Sequence, residues 1–216
     1  MGGNTMPIDE RTLTHRYPML MSIIPEIREA CDLLERAFRD GKKLLVCGNG
    51  GSAADSEHIV GELMKGFIRR RPVGEGLRER LEGLAGSEGA VLAEHLQEAL
   101  PAISLSSHTS LISAVGNDTG YEYAFAQQVL GYGQPGDVLL AITTSGNSRN
   151  VVHACLVARA LGLTVIGFTG EGGGKVGQLS HCLIAAPDKE TAHVQELQQA
   201  IYHYICAEIE RRFFPE

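Results

Sequence analysis

The chain has 216 residues, of which 44% are hydrophobic and 21% charged, and its formal net charge is −7. This length and composition are typical of a globular domain with a proper core, and the acidic balance argues against a broad nucleic-acid surface. Its apolar runs are too short to span a bilayer, and its five cysteines lack a C-x-x-C pair, which indicates buried, reduced thiols. We therefore expect a cytoplasmic protein with neither a nucleic-acid nor a membrane partner.

Apolar residues recur at helical spacing in residues 19–40, which predicts an N-terminal helix that stops at Gly41. Short apolar runs then predict five strands, KLLVC, AISL, DVLLAIT, TVIGFTG and HCLIAAP. Helical stretches separate most of these runs, which favours a parallel sheet covered by helices on both faces. The last segment, residues 191–214, is predicted to be a long helix with an apolar stripe.

Residues 73–100 do not fit a compact alternation of strands and helices. They are charged, punctuated by glycine and helix-prone, which predicts a helical insertion before the second strand. Just before this insertion, Arg69, Arg70 and Arg71 stand together. The plainer interpretation of the triplet is a solvated helix end, and the alternative is a local basic patch.

The first predicted strand runs into GNGGSAAD, which opens a helix. A loop of small residues there exposes backbone N–H groups beside the positive end of the helix dipole, which suits a phosphate. Ser52 can cap the helix or donate its hydroxyl to a phosphate oxygen. The pattern is weak alone, because it matches neither G-x-G-x-x-G nor a P-loop. A tight turn with a serine cap is the alternative.

The third predicted strand ends in TTSGNS, which offers Thr143, Thr144, Ser145 and Ser148 around a glycine. Several uncharged hydroxyls at a strand end suit a phosphate monoester. Ligands bind at the carboxyl ends of the strands in open α/β sheets. Two such loops on one sheet therefore predict a phosphate or phosphosugar site.

Candidate acid–base residues lie on two predicted helices. His58 and Glu62 are spaced i, i+4 and share a helix face, and so do Gln195, Gln199 and His203 in the last helix. For either histidine, a surface position or a satisfied buried position is the alternative to a catalytic role.

Five segments together resemble the SIS (sugar isomerase) domain family, specifically the phosphoheptose isomerases: GNGGSAADSEHIVGEL, AVGNDTGYEYAFAQQV, GDVLLAITTSGNSRNVV, GFTGEGGGKV and VQELQQAIYHYIC. Those enzymes convert sedoheptulose 7-phosphate to a heptose phosphate used for bacterial surface sugars. The resemblance implies an α/β fold, a three-layer α-β-α sandwich on a five-stranded parallel, flavodoxin-like sheet. It also implies that residues 1–216 form a single SIS domain with a helical insertion.

The resemblance further implies roles for individual residues. Glu62 and His203 would be the acid–base pair. The substrate-binding set would be Asn49, Gly50, Gly51, Ser52, Asn117, Asp118, Thr143, Thr144, Ser145, Ser148 and Gln195. A divalent metal, with zinc as the first choice, would bind at His58, Glu62, Gln195 and His203. Members of the family are homotetramers with active sites at subunit interfaces, so Gln195 and His203 would act beside Glu62 of a neighbouring chain.

Several alternatives stay open. A metal-bound Glu62 would be a poorer free base, so the metal and acid–base hypotheses compete for the same residue. His108 stands where the family commonly has Asp near the substrate, which leaves the identity of the sugar open, and Thr143 stands where Ser is usual.

The chain could also be a non-catalytic module of the type that binds a replication initiator, or a phosphosugar-sensing domain. Glu62 is missing from that initiator-binding relative, so its presence here favours an isomerase.

Overall fold

The structure, a computed structural model, describes residues 8–215. Its centre is one sheet of five strands, namely β1 (Leu44–Cys47), β2 (Ala102–Ser104), β3 (Val138–Thr143), β4 (Thr164–Thr169) and β5 (Cys182–Ala185). The strand order is β2-β1-β3-β4-β5, and every neighbouring pair is parallel. All five predicted strands and their parallel arrangement are confirmed.

The helices are α1 (Glu10–Arg16), α2 (Ile24–Arg39), α3 (Gly51–Met64), α4 (Glu75–Ala85), α5 (Ser87–His95), α6 (Thr109–Asp118), α7 (Ala124–Tyr132), α8 (Arg149–Ala160), α9 (Gly174–Leu179) and α10 (Thr191–Phe213). Short 3-10 helices occupy Pro18–Ile23 and Tyr121–Tyr123. None of the helices within the described residues is long and apolar enough to cross a membrane.

Each face of the sheet has its own core. Val46 of β1 packs in the core formed with α2, α3 and α10, whereas the adjacent Leu45 packs in the core formed with α7, α8 and α9. This alternation follows from the two-residue period of a strand, and burial on both faces explains why the strands read as continuous apolar runs. The result is the predicted three-layer α-β-α sandwich.

The N-terminal helix differs from its prediction at one end. Residues 19–23 belong to the 3-10 helix, and α2 begins only at Ile24. The reason is Pro25, which lacks a backbone N–H and is tolerated only in the first turn of an α-helix. The helix ends at Arg39, just before Gly41, as expected.

The insertion is helical, as predicted, and lies between α3 and β2. Its two helices, α4 and α5, form a hairpin that turns at Gly86, and Leu84 near this turn is 85% exposed.

The interpretation of Arg69, Arg70 and Arg71 as a solvated helix end is wrong. Helix α3 ends at Met64, and the Arg71 side chain is fully buried in an ion pair with Glu210. The five cysteines, all within the described part of the chain, are buried and unpaired, as predicted.

Candidate active site

The turn between β1 and α3 is shaped by glycine. Gly50 adopts φ +57° and ψ −120°, a backbone conformation that other residues rarely take. Gly51 opens α3, and a Cβ added there would collide with the side-chain amide of Gln195. Gly50 therefore permits the turn, and Gly51 lets α10 approach the N-terminus of α3, where the helix dipole favours an anion.

Both predicted phosphate loops open onto one pocket of about 320 Å³. Its lining comes from the β1–α3 turn, the end of β3 with the loop after it, and the start of α10: Asn49, Gly50, Gly51, Ser52, Ile142, Thr143, Thr144, Ser148, Thr191 and Gln195. The hydroxyls of Thr143 and Ser148 lie 3.0 Å apart. Neutral hydroxyl and amide donors at a helix N-terminus form an arrangement suited to a phosphate group.

Three predicted substrate residues are not part of this pocket lining. Ser145 is exposed, and its hydroxyl accepts a hydrogen bond from the backbone N–H of Asn147. Asn117 and Asp118 close α6, are exposed, and bond to each other at 2.9 Å. Any contact between these three residues and a substrate stays a prediction.

A pair of amides that the sequence analysis missed joins the two loops. The Asn49 amide donates to Asn150 Oδ1 at 2.9 Å, and the Asn150 amide donates to Asn49 Oδ1 at 2.8 Å. The Tyr121 hydroxyl also donates to Asn49 Oδ1, at 2.9 Å. Asn150 follows TSGNSR directly, in the first turn of α8, and this polar position beside a binding loop was the signal available in the sequence.

The candidate acid–base residues meet on the facing sides of α3 and α10. His58 Nε2 lies 3.2 Å from Glu62 Oε1, and His58 Nδ1 lies 2.9 Å from the Tyr202 hydroxyl. The ring of His203 is 5.0 Å from that of His58 and is stacked on Phe67. We call His58, Glu62, Tyr202 and His203 the acid–base cluster.

Burial sets the protonation of His203. Desolvation lowers its pKa below the ordinary 6.5, nearby His58 lowers it further, and Glu62 opposes the shift. The imidazole is therefore neutral near pH 7 and can both donate and accept a proton. Burial also raises the pKa of Asp55, which accepts a long hydrogen bond of 3.4 Å from the Tyr202 hydroxyl.

The pocket lies at the N-terminal ends of α3 and α10, and the cluster lies farther along both helices, toward the C-terminal end of α3 and in the middle of α10. Ser52 and Glu62 are ten residues apart on α3, about 15 Å along its axis, and Gln195 and His203 are eight apart on α10, about 12 Å.

The expected metal ligands do not converge. In the described residues, no group of three His, Cys, Asp or Glu side chains is arranged to hold a metal ion. His58 Nε2 faces Glu62 and its Nδ1 faces Tyr202, while the Gln195 amide lies over Gly51 in the pocket at the start of α3. The donor types suit zinc, but their placement in this chain does not form a site.

His108 lies on a separate, open pocket of about 450 Å³ formed by residues 107–111 and Tyr132. Its Nδ1 is 2.6 Å from Gln128 Oε1, and the Gln128 amide donates to the carbonyls of Leu105 and Ala124. Since Gln128 Oε1 can only accept, the proton of this hydrogen bond belongs to His108 Nδ1. Its Nε2 is left for other partners.

Fold and site thus define an α/β protein with an anion pocket and an acid–base cluster on shared helices. A family model for the SIS domain matches residues 20–97 and 79–170. The phosphoheptose isomerase of Rhodospirillum rubrum is 39% identical over 186 residues, 86% of this chain and 85% of that protein. The phosphoheptose isomerase of Helicobacter hepaticus is 40% identical over 88% of this chain and 84% of that protein.

Solved structures agree with these relatives. The phosphoheptose isomerase of Neisseria gonorrhoeae matches with a TM-score of 0.71 and 30% identity over 93% of this chain and 97% of that one. The enzyme from Francisella tularensis matches with a TM-score of 0.72 and 29% identity over 94% of each chain. The chain belongs to the SIS domain family and, within it, to the phosphoheptose isomerases.

Proposed function

We propose that this chain isomerises sedoheptulose 7-phosphate to D-glycero-D-manno-heptose 7-phosphate. The observation that carries the proposal is the convergence of two glycine and hydroxyl loops on one pocket, in a chain whose α3 and α10 also bring Glu62 and His203 together. An isomerase for another ketose phosphate is the alternative, because the pocket accounts for the phosphate rather than for the sugar.

The phosphate is proposed to sit at the N-terminus of α3. Ser52 and the loop residues Thr143, Thr144 and Ser148 supply hydroxyl and backbone donors, and Gln195 supplies an amide. The positive charge that attracts the phosphate comes from the N-terminal end of the helix dipole, and none of the described residues that line the pocket is a lysine or arginine. We also propose that the exposed residues Asn117, Asp118 and Ser145 contact the substrate.

The reaction needs one proton moved between carbons and one between oxygens. In our proposal, the Glu62 carboxylate removes a proton from C1 of the ketose and returns it to C2, while neutral His203 protonates O2 and takes the proton from O1. The intermediate is an enediol. The lowered pKa of His203 supports this role, since a neutral imidazole has both a donor and an acceptor nitrogen.

We propose a homotetramer in which active sites form at subunit interfaces. The resemblance assigns Gln195 and His203 to one site, but they lie about 12 Å apart along α10, and His203 already lies beside His58 and Glu62 of its own chain rather than a neighbour's. This separation supports a site in which the phosphate pocket of one chain, with Gln195, works with the acid–base cluster of a neighbour. Light scattering of the purified protein tests the assembly.

Zinc stays a prediction. Two imidazoles, a carboxylate and an amide oxygen are donors that zinc accepts, although the amide is a weak ligand. Because the donors do not converge in this chain, we assign proton transfer to the side chains and route no step through a metal. Elemental analysis of the purified protein, with turnover measured before and after chelation, tests the zinc prediction.

We further propose that residues 1–216 form one SIS domain with residues 73–100 as its insertion, and that it acts in the cytoplasm on a free phosphosugar. The single sheet supports the first statement, and five buried, unpaired cysteines support a reducing compartment. The test of function is turnover of sedoheptulose 7-phosphate by the purified protein, compared with other ketose phosphates. Turnover of a different ketose phosphate alone would replace the substrate but keep the reaction class.

A further inference from the structure

The deepest charged side chains in the described part of the chain form an ion pair beside the acid–base cluster. Arg71 Nε lies 2.9 Å from Glu210 Oε1, and the side chains are 0% and 1% exposed. Removing two charges from water is costly, and such a pair is often no more stabilising than apolar residues of the same volume. A contribution to stability is therefore a weak explanation for this pair.

Glu210 organises the segment that follows α3. Its carboxylate accepts hydrogen bonds from the backbone N–H groups of Phe67, Ile68 and Arg69 at 2.8, 2.8 and 3.0 Å. Burial by itself would raise the pKa of Glu210, but these backbone donors and Arg71 hold it below its ordinary value. One of the three residues it fixes, Phe67, stacks its ring on His203 at 5.8 Å.

Arg71 organises the end of α3. Its Nη1 donates to the carbonyl of Leu63 at 2.7 Å and its Nη2 to the carbonyl of Glu62 at 3.2 Å. The last carbonyls of an α-helix lack partners within the helix, and a cation there also complements the helix dipole. Arg71 thus holds the backbone of the proposed catalytic carboxylate directly.

The pair also connects the two helices of the cluster. Glu210 follows His203 by seven residues on α10, which places both on one helix face about 10 Å apart along the axis. One chain of contacts therefore runs from the Glu62 backbone through Arg71, Glu210 and Phe67 to His203.

We propose that Arg71 and Glu210 are positioning residues that hold the Glu62 carboxylate and the His203 imidazole in their relative geometry. This inference rests on the proposed acid–base roles of Glu62 and His203. A displacement of about 1 Å at reacting groups can lower a rate about 100-fold, so loss of this connection acts on kcat rather than on substrate affinity.

The test compares Glu210→Gln and Arg71→Lys with a matched control, Asp137→Asn. Asp137 is likewise a buried carboxylate that accepts two backbone N–H groups, from Lys43 and Gln134, and one cation, Lys43 Nζ at 2.6 Å. Its partners are not members of the cluster. Each variant is measured for melting temperature, kcat, KM, the pH profile of kcat/KM, and the His203 pKa by NMR.

We expect Glu210→Gln to lower kcat about 10- to 100-fold with KM within about threefold, and to shift the His203 pKa. Arg71→Lys keeps a positive charge but lacks the several donors of the guanidinium group. Its kcat should therefore lie between those of Glu210→Gln and the wild type. Asp137→Asn should lower the melting temperature and leave kcat and the His203 pKa unchanged.

The proposal is overturned if folded Glu210→Gln and Arg71→Lys proteins keep the wild-type kcat and pH profile, or if Asp137→Asn loses kcat to the same degree. Should Glu210→Gln fail to fold, Arg71→Lys carries the test on its own. A fully active Glu62→Gln protein would instead refute the proposed catalytic role of Glu62, and a wild-type protein that turns over no ketose phosphate would refute the proposed function. The NMR readout needs no turnover, so the two failures are distinguishable.

Discussion

The side-chain amides of Asn49 and Asn150 hydrogen-bond to each other in both directions, at 2.9 and 2.8 Å. They join the turn after β1 to the first turn of α8, so the two loops that line the proposed phosphate pocket are fixed to each other. Asn150 is 4% exposed, which makes loss of either hydrogen bond costly.

We predict that Asn150→Asp weakens substrate binding. Aspartate cannot donate to Asn49 Oδ1, and it adds a negative charge beside a phosphate site. An increase in KM of about tenfold, equivalent to about 1.4 kcal/mol, is expected in steady-state kinetics. Asn147→Asp is the control, since it adds the same charge to the same loop at an exposed position. Equal effects of the two variants would show that charge, and not the amide pair, is responsible.

Two glycines on α3 give a matched test of the phosphate pocket. A Cβ on Gly51 would collide with the Gln195 amide, whereas a Cβ on Gly61 would meet nothing within 4 Å. Gly51→Ala should raise KM at least about tenfold, because Gln195 must leave the pocket. Gly61→Ala should keep full activity and gain up to about 1 kcal/mol of helix stability, measured by denaturant unfolding. Wild-type KM in Gly51→Ala would contradict the assignment of the pocket.

The pH profile should reflect neutral His203. Because burial and then His58 lower its pKa, we expect the acid limb of kcat/KM, where His203 takes up a proton, to lie at a lower pH than for an ordinary histidine. His203→Gln should lose most activity, and whatever remains should lack this acid limb. Asp9, Arg16 and Glu196 are the charged residues that line the groove beside His203.

The lowered pKa of His203 also makes the stability of the folded protein depend on pH. Between the folded pKa of His203 and 6.5, the unfolded chain binds more protons than the native protein, so acid favours unfolding in that window. The contribution of His203 to stability is complete above pH 6.5 and disappears as the pH falls through the folded pKa. A wild-type melting temperature that falls more steeply below pH 6.5 than that of His203→Gln would agree, and identical pH dependence of the two would not.

The strands and the pocket could be predicted because their signals are local. A strand buried on both faces must be a continuous apolar run, and a phosphate loop must combine glycine with hydroxyls at a strand end. The start of α2 was misplaced although Pro25 carried the information. The burial of Arg71 could not be read locally, since its partner Glu210 is 139 residues away and only the tertiary fold brings them together.

The contacts of the acid–base cluster could be predicted from the sequence only in part. The i, i+4 spacing predicted the contact between His58 and Glu62, which the structure places 3.2 Å apart. The approach of His203 to His58 depends on how α10 packs on α3, and Tyr202, which bonds to His58, was missed because its neighbours along the helix suggested only an apolar stripe.

The most direct test of the proposed function is turnover of sedoheptulose 7-phosphate by the wild-type protein and by Glu62→Gln, with the fold of both checked by circular dichroism. We predict turnover by the wild type and a loss of kcat of about 10²- to 10⁴-fold in the variant, the range typical of removing a general base. A folded Glu62→Gln protein with kcat within about threefold of the wild type would contradict the proposed mechanism.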